Sequence, residues 1–288
     1  MKTIQNKNTF RFFDYKWKKV PNWGNITYKL YVKWYLNRYK YHNLNNFKKF
    51  LKDKNNILEA GCGLARDSIL FAKLNKKSNI YACDQSPIAI KFAKKYTKKY
   101  NNVSIFRQDI TKKFKKNIKY DFISCDQVLH HTPSPKKTLN NLFSILNKNG
   151  YLNFFVCKKK NNYRDLLDDH IMNNFKNKSP KKLWDFAIEV TKFAKTLHNL
   201  KIKNVKFNKK KYSNLQLFFH YNSFRAWYNP KINFDLSVSS NYDWFSNNPR
   251  YSMEDVNNIL KSIKNYKVIS IYEDDASISL SIKKLRDK

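Results

Sequence analysis

The chain has 288 residues and a mass of 34.7 kDa, enough to bury a substantial core, which excludes a small scaffold held by disulfides or metal. Hydrophobic residues make up 42% of it and aromatics 16%, so the formal charge of +37 belongs to a folding chain and not to a disordered one. Such an excess ordinarily points to nucleic acid or an anionic surface, yet only eight of the 58 basic residues are arginine, the side chain that grips phosphates and bases bidentately, and the lysines run along the whole chain. Charge alone therefore does not favour nucleic acid as a partner.

The N-terminus lacks the apolar stretch of roughly 7–15 residues that a secretory signal needs, and nowhere do about 18 apolar residues run together. A soluble, cytoplasmic protein without a membrane span is predicted. Within residues 1–54, Tyr28, Tyr31, Tyr35 and Tyr39 fall at helical spacing and predict an aromatic-rich helical segment packed on the following domain.

Residues 55–157 alternate short apolar runs at 56–60, 80–84, 103–108, 122–126 and 151–157 with helical stretches at 67–74, 87–100 and 136–147. Ser86 before Pro87 marks a helix start, an N-cap followed by proline at the first helical position. This alternation specifies a doubly wound α/β fold whose parallel sheet is covered on both faces. Residues 158–251 are too long for a connection and too aromatic for a linker, and read as a helical and loop insert acting as a cap. In 252–288, Ser252 with Asp255 opens a helix expected over 253–266, and strands at 268–272 and 277–282 flank an acidic turn. That hairpin places one antiparallel strand in an otherwise parallel, seven-stranded sheet.

Cys62, Cys83, Cys125 and Cys157 show no metal-type spacing and read as buried reduced thiols, with no metal site expected. Glycine occurs only four times, at 24, 61, 63 and 150. Two of the four form Gly61-Cys62-Gly63 directly after the first strand, where they allow a tight turn and close approach of backbone to ligand. Acidic residues are also scarce, at 21 positions, yet Glu59, Asp84, Asp109 and Asp126 end or follow the first four strands. Ligands of open α/β sheets bind at those carboxyl ends, so the four acids are expected to share one crevice. A carboxylate two residues before the glycine pair suits a cationic ligand better than a pyrophosphate.

Glu59-Ala60-Gly61-Cys62-Gly63 resembles the first motif of class I S-adenosylmethionine-dependent methyltransferases, which have a Rossmann-like fold. The segments Tyr81-Ala82-Cys83-Asp84-Gln85-Ser86, Arg107-Gln108-Asp109-Ile110, Tyr120-Asp121-Phe122-Ile123-Ser124 with Val128-Leu129-His130-His131-Thr132-Pro133, and the stretch from Leu142 to Leu152 resemble the later motifs in order. The segments after the fourth strand are also similar to those of a bacterial subgroup with a long insert after the fifth strand.

The resemblance implies S-adenosyl-L-methionine as cofactor and a binding set of Glu59, Gly61, Cys62, Gly63, Asp84, Gln85, Asp109, Ile110 and Asp126. In that set Glu59 faces the methionyl amino end, Asp84 accepts from the ribose hydroxyls, and Asp109 with the Ile110 amide meets the adenine. Ala65 in place of a third glycine, and Asn149-Gly150 in place of a glycine-rich pair, depart from the usual pattern.

His131, and after it His130, follow the fourth strand where the resemblance places the methyl group; either serves as catalytic base or shapes the pocket. In the insert, Arg164, His220, Tyr221, Arg225, Tyr228, Asp243 and Trp244 mix aromatic walls with polar groups, as acceptor pockets do. The function expected is methyl transfer to a small-molecule acceptor. An RNA methyltransferase and a cofactor-binding protein without methyl transfer stay open.

Overall fold

The computed structural model describes residues 9–114, 118–160, 162–199, 224, 227–246 and 248–285. By internal contacts the chain divides into two compact units, residues 1–159 with 249–288, and residues 160–248.

The first unit is organised by strands that are apolar on both sides. In β1 (Asn56–Ala60), Ile57 packs into one cluster and Leu58 into another on the opposite face; in β4 (Tyr120–Cys125), Phe122 and Ile123 divide in the same way. Alternation between two buried faces is what a parallel sheet with helices on each side requires. The sheet also contains β2 (Asn79–Asp84), β3 (Val103–Arg107), β5 (Leu146–Lys158), a two-residue β6 (Arg250–Tyr251), β7 (Tyr266–Glu273) and β8 (Ser277–Lys284). Its order is β3-β2-β1-β4-β5-β8-β7, with β6 beside β5. β8 runs antiparallel to both β5 and β7, and the remaining pairings are parallel. The expected seven strands and single antiparallel strand are present, and β6 makes an eighth.

Three helices precede the sheet: α1 (Thr9–Lys19), α2 (Trp23–Arg38) and α3 (Leu44–Leu51). Tyr31, Tyr35 and Tyr39 are buried, and Tyr35 joins Phe47 of α3, Ile57, Phe71 and Phe122 in one core. The sheet beneath α2 is polar where aliphatic residues would be usual. Ser124 and Asn153, both fully buried, bond to the Tyr35 hydroxyl at 3.0 and 3.4 Å, and Asn153 also donates to Tyr41 at 3.3 Å. Tyrosine suits such a surface, since its ring fills volume while its hydroxyl satisfies the buried partner.

After β1 comes α4 (Arg66–Leu74), and after β2 comes α5 (Pro87–Thr97), capped as expected by Ser86, whose side chain accepts from Ala89 N at 2.9 Å. α6 (Pro135–Ser144) and α10 (Met253–Leu260) supply the other face, with Leu139, Leu142, Val256 and Leu260 packed on Leu58, Ile123, Phe154 and Leu280. The Ser252–Asp255 capping box forms in both directions. Three helices are shorter than expected. The one over 87–100 ends at Thr97. The one over 136–147 ends at Ser144, and Leu146 already pairs with Tyr120 as the start of β5. The one over 253–266 ends at Leu260 with Lys261 as its C-cap, and further on Asn265, at a left-handed φ of 55°, precedes the start of β7.

The second unit holds α7 (Asn162–Phe175), α8 (Pro180–Asn199) and α9 (Phe234–Ser246). Trp184 packs on Tyr242 with ring centroids 5.1 Å apart, and the buried Asn241 amide bonds Thr191 at 2.8 Å and the Trp227 carbonyl at 2.6 Å. Among the described residues no helix is long and apolar enough to cross a membrane, and no cluster of three or more His, Cys, Asp or Glu could hold a metal ion. All four cysteines are buried, and none is in a disulfide.

Candidate functional site

The carboxyl ends of β1, β2, β3 and β4 carry the residues singled out by sequence. After β1 the chain turns through Gly61 (φ +79°), Gly63 (φ +50°) and Ala65 (φ +59°) before entering α4. The turn is tied to β2 by the Gly61 and Cys62 amides, both donating to the Cys83 carbonyl at 2.8 Å. Glycine is required twice. A Cβ on Gly61 would lie 2.4 Å from a methyl of Val128, and one on Gly63 would lie 2.9 Å from the Trp17 ring. Ala65 holds the third left-handed position that many members of the resembled family give to glycine. The Cys62 thiol is buried and pushed up by that burial and by Glu59, which makes it a packing group.

Asp84 ends β2 and spans the turn. Its Oδ2 accepts from the Gly63 amide and its Oδ1 from the Ser86 amide, both at 2.9 Å. Burial raises its pKa while those two amides pull it down. An ionised carboxylate offers about four acceptor positions, so one fixed by two amides keeps capacity for a pair of vicinal hydroxyls. Gln85 beside it is exposed, its carbonyl accepting from Arg107 at 3.0 Å. Beyond β3, Asp109 uses Oδ1 to accept from the Thr111 amide at 2.9 Å and hydroxyl at 2.6 Å, which sets the loop that buries Ile110.

Glu59 is buried and turned onto the first turn of α4, where it accepts from the Ser68 amide at 2.7 Å and from the Ser68 hydroxyl. Burial, and then the neighbouring Asp67, push its pKa up to about 8. Asp126 lies in a different setting. Its Oδ1 accepts from Arg38 at 2.9 Å and Tyr39 at 2.8 Å, its Oδ2 from Arg38 at 3.2 Å and Gln127 at 3.0 Å, and Arg66 stands 3.6 Å away. Burial is the largest influence on Arg38 and works against its charge, but Asp126, Tyr39 and Tyr31 together outweigh it and raise the guanidinium's pKa. Arg66 is shared between Asp67 at 2.7 Å and the face of Tyr31, 4.2 Å from the ring centroid. This ion-pair group ties α2 and α4 to the end of β4. No local pattern in the sequence marks Arg38 or Arg66 as part of it.

The two histidines occupy a short 3-10 turn, Leu129–His131. His130 is 2% exposed, lies 3.4 Å from the Phe155 carbonyl through Nδ1, and has its pKa pushed well down by burial and by His131, so it is a neutral imidazole. His131 is half-buried above it, ring centroids 4.0 Å apart, with Phe13 of α1 edge-on at 4.9 Å. Phe13, Asp14 and Trp17 are further neighbours of these loops that the sequence analysis did not single out. Tryptophan and glycine far apart in sequence carry no local signal of such a meeting.

In the second unit, Arg164 donates through Nε to both Asp168 oxygens at 2.9 and 2.8 Å, and the Trp244 indole donates to Asp168 at 2.7 Å. Asp168 is fully buried, so this network serves the interior of the unit. Tyr228 packs edge-on to His198 at 5.7 Å, and the Asp243 carbonyl accepts from Ser246 at 3.0 Å. His220, Tyr221 and Arg225 lie outside the described residues.

The glycine turn and the doubly anchored Asp84 fit a nucleoside, and the buried Glu59 suits its cationic end once it is ionised. The Asp84 and Glu59 carboxyls flank a glycine turn whose backbone a ligand can approach closely. A family model described as a methyltransferase domain matches residues 51–199. A search of the curated proteins finds no match. Among solved structures, PKMT2 from Rickettsia typhi in complex with AdoHcy is similar at 16% identity and a TM-score of 0.55, over 81% of this chain and 49% of that one. The chain thus spans about half the length of PKMT2. A SAM-dependent methyltransferase from Aquifex aeolicus is 14% identical over 87% of this chain and 92% of its own, at a TM-score of 0.46. By its family match and its Rossmann-like fold, this chain belongs to the class I S-adenosylmethionine-dependent methyltransferase domains.

Proposed function

We propose that the protein transfers a methyl group from S-adenosylmethionine to a small-molecule acceptor. When bound, the cofactor supplies an electrophilic methyl on a positively charged sulfur; the chain supplies alignment and exclusion of water. In this reading Asp84 accepts from the ribose hydroxyls, Glu59 faces the ammonium end beside Gly61 and Gly63, and Asp109 with the Ile110 amide meets the base. Asp126 acts from behind, holding α2 and α4 in place through Arg38 and Arg66. His131 takes the acceptor's proton, while His130, neutral and buried, supports its ring.

The observation that carries the choice of a small acceptor is the cover over these loops. Phe13 packs on His131 and Trp17 on Gly63, so the face a polymeric substrate would have to approach is occupied by α1. The test is formation of S-adenosylhomocysteine from S-adenosylmethionine, with a metabolite extract or with total RNA as acceptor. Turnover is expected with the metabolite fraction alone. Turnover with RNA alone, falling steeply with salt, would replace this reading by the RNA enzyme. His131→Ala is expected to lower kcat at least tenfold with unchanged affinity for S-adenosylhomocysteine.

A further inference from the structure

The lysine excess runs along the whole sequence but is not spread evenly over the surface. On α8 exposed lysines come with acids, Lys181 with Asp185 at 2.7 Å and Lys192 with Glu189 at 3.1 Å. At the end of β5, Lys158 pairs with Glu273 and Lys159 with Asp255, each at 2.8 Å. Helix α5 differs. Lys91, Lys94 and Lys95, with Lys98 and Lys99 in the turn that ends the helix, are all exposed, and among the described residues none of the five is in an ion pair. At 3.6 residues per turn they fall within about 140° of one face, opposite the buried Ala89, Ala93 and Thr97.

Nothing on the neighbouring elements offsets this charge. α1, β2 and β3 pack most closely on α5 and carry two acids between them, Asp14 and Asp84. Both are engaged at the other, amino-terminal end of α5, Asp14 by the Ser86 hydroxyl and Asp84 by the Gly63 and Ser86 amides. α1 instead adds cations. Its last turn exposes Lys18 and Lys19, and just beyond it the Pro21 carbonyl accepts from Tyr96 of α5 at 2.7 Å. Along one edge of the lysine strip the half-buried Phe92 and Tyr96 stack with ring centroids 6.1 Å apart and planes 16° apart, and Lys99 stands 5.5 Å from the Tyr100 centroid. The helix dipole favours cations in the last turn of any helix, which accounts for one or two of these lysines and not for five on an acid-free face.

Ammonium groups at helical spacing, about 5–6 Å between neighbours, with aromatic rings along their edge, match a phosphate backbone whose bases stack beside it. A bilayer is the other extended anion, but a helix that lies in a membrane surface buries apolar side chains. Among the described residues none of the large exposed apolar side chains lies on α5 or α1. We propose that this face of α5 binds the phosphate backbone of single-stranded nucleic acid, as a docking partner separate from the methyl acceptor. α5 leaves the carboxyl ends of the strands at Ser86 and runs back along the sheet, so at 1.5 Å per residue Lys99 lies about 20 Å from the crevice. A strand held there is out of reach of His131 and is not methylated. Lysine, a point charge without the planar fork of arginine, holds it with no preference for sequence.

Fluorescence anisotropy of a labelled oligouridylate of about 20 nucleotides, titrated with the full chain between about 50 and 200 mM salt, tests this. Five phosphate contacts predict that log K falls with log salt at a slope near about −3.5. A chain carrying Lys91→Gln, Lys94→Gln and Lys98→Gln is expected to bind at least tenfold more weakly, with the slope reduced by about 2. A chain carrying Lys48→Gln, Lys49→Gln and Lys52→Gln, equally exposed positions at α3, loses the same charge and is expected to stay within threefold of wild type. Both are expected to keep the wild-type thermal midpoint; if the α5 triple does not, Lys91→Gln and Lys94→Gln singly, each expected to weaken binding about threefold, decide the matter. No binding by the wild type at about 50 mM salt, or equal weakening by the two triple variants, overturns the proposal. So does capture by phosphatidylserine vesicles that the α5 triple abolishes while its affinity for the oligouridylate is unchanged. Affinity for S-adenosylhomocysteine is expected to be the same in all of these chains, and failure of nucleic-acid binding leaves the cofactor assignment untouched.

Discussion

Glu59 offers a quantitative test: if it faces the cationic end of the cofactor, as proposed, binding and protonation exclude each other. The carboxyl is 6% exposed and accepts two hydrogen bonds from Ser68, yet burial and Asp67 raise its pKa from 4.5 to about 8. A carboxyl with a raised folded pKa keeps its proton when the unfolded chain has lost it. Its stabilising contribution is therefore complete below pH 4.5 and is lost as pH rises through about 8. At about 1.4 kcal/mol per pH unit that span is worth about 5 kcal/mol at most. A cationic ligand favours the ionised form, so binding must expel the proton. The affinity penalty is about tenfold at pH 7 and about a hundredfold at pH 6, relative to a fully ionised Glu59. The ligand's own amino group loses its charge near pH 8, which places the affinity maximum there.

Calorimetric titration with S-adenosylhomocysteine at pH 7, in two buffers of different ionisation enthalpy, is expected to show net release of about 0.8 proton per nucleoside bound, roughly 0.9 from Glu59 less about 0.1 taken up by the ligand's amino group. In Glu59→Gln that release disappears, affinity no longer rises between pH 6 and 8, and the decline of stability over pH 5–8 is abolished. Wild-type affinity that is flat from pH 6 to 8, or proton release that persists in Glu59→Gln, would refute the reasoning.

Asp84→Ala strands the Gly63 and Ser86 amides and removes the hydroxyl acceptor, so the dissociation constant for S-adenosylhomocysteine is expected to rise roughly 10–100-fold while kcat at saturation changes little. Gly61→Ala meets Val128 at 2.4 Å and a φ of +79°, and denaturant unfolding should show a loss of about 2–4 kcal/mol; a loss under 0.5 kcal/mol would contradict the packing. Asp126→Ala leaves Arg38 buried without its main counter-charge and is expected to cost about 3–5 kcal/mol of stability. A loss near zero there would show that α2 is not held through this pair.

Much of the fold could be read from local pattern. Two-faced apolar runs marked the parallel strands, Ser86-Pro87 marked the start of α5, and Ser252 with Asp255 marked that of α10, because each signal lies within a few residues of the feature it produces. The glycine pair was legible for the same reason, since glycine is rare here and Gly61 and Gly63 do adopt positive φ. Helix ends were harder to read. Residues 145–147 and 261–266 contain nothing that forbids helix; pairing of Leu146 with Tyr120 starts β5 early, while only the last residue of the second stretch, Tyr266, is claimed by the sheet through Lys284. The least legible features are the long-range ones. Arg38 meets Asp126 across 88 residues, and Trp17 meets Gly63 through a helix whose own sequence says only that it is amphipathic. The polar sheet face under α2 was equally hidden, since Ser124 and Asn153 make sense only once Tyr35 and Tyr41 are in place above them.

The claim on which the account rests is that the strand ends around Gly61, Gly63 and Asp84 bind a sulfur nucleoside. Equilibrium titration of the wild-type chain and of folded Asp84→Ala with S-adenosylhomocysteine measures this most directly. One nucleoside per chain for the wild type, with binding weakened at least tenfold in the variant, is the predicted result. Absence of binding to the wild type at millimolar nucleoside, or equal affinity in the two proteins, would contradict it.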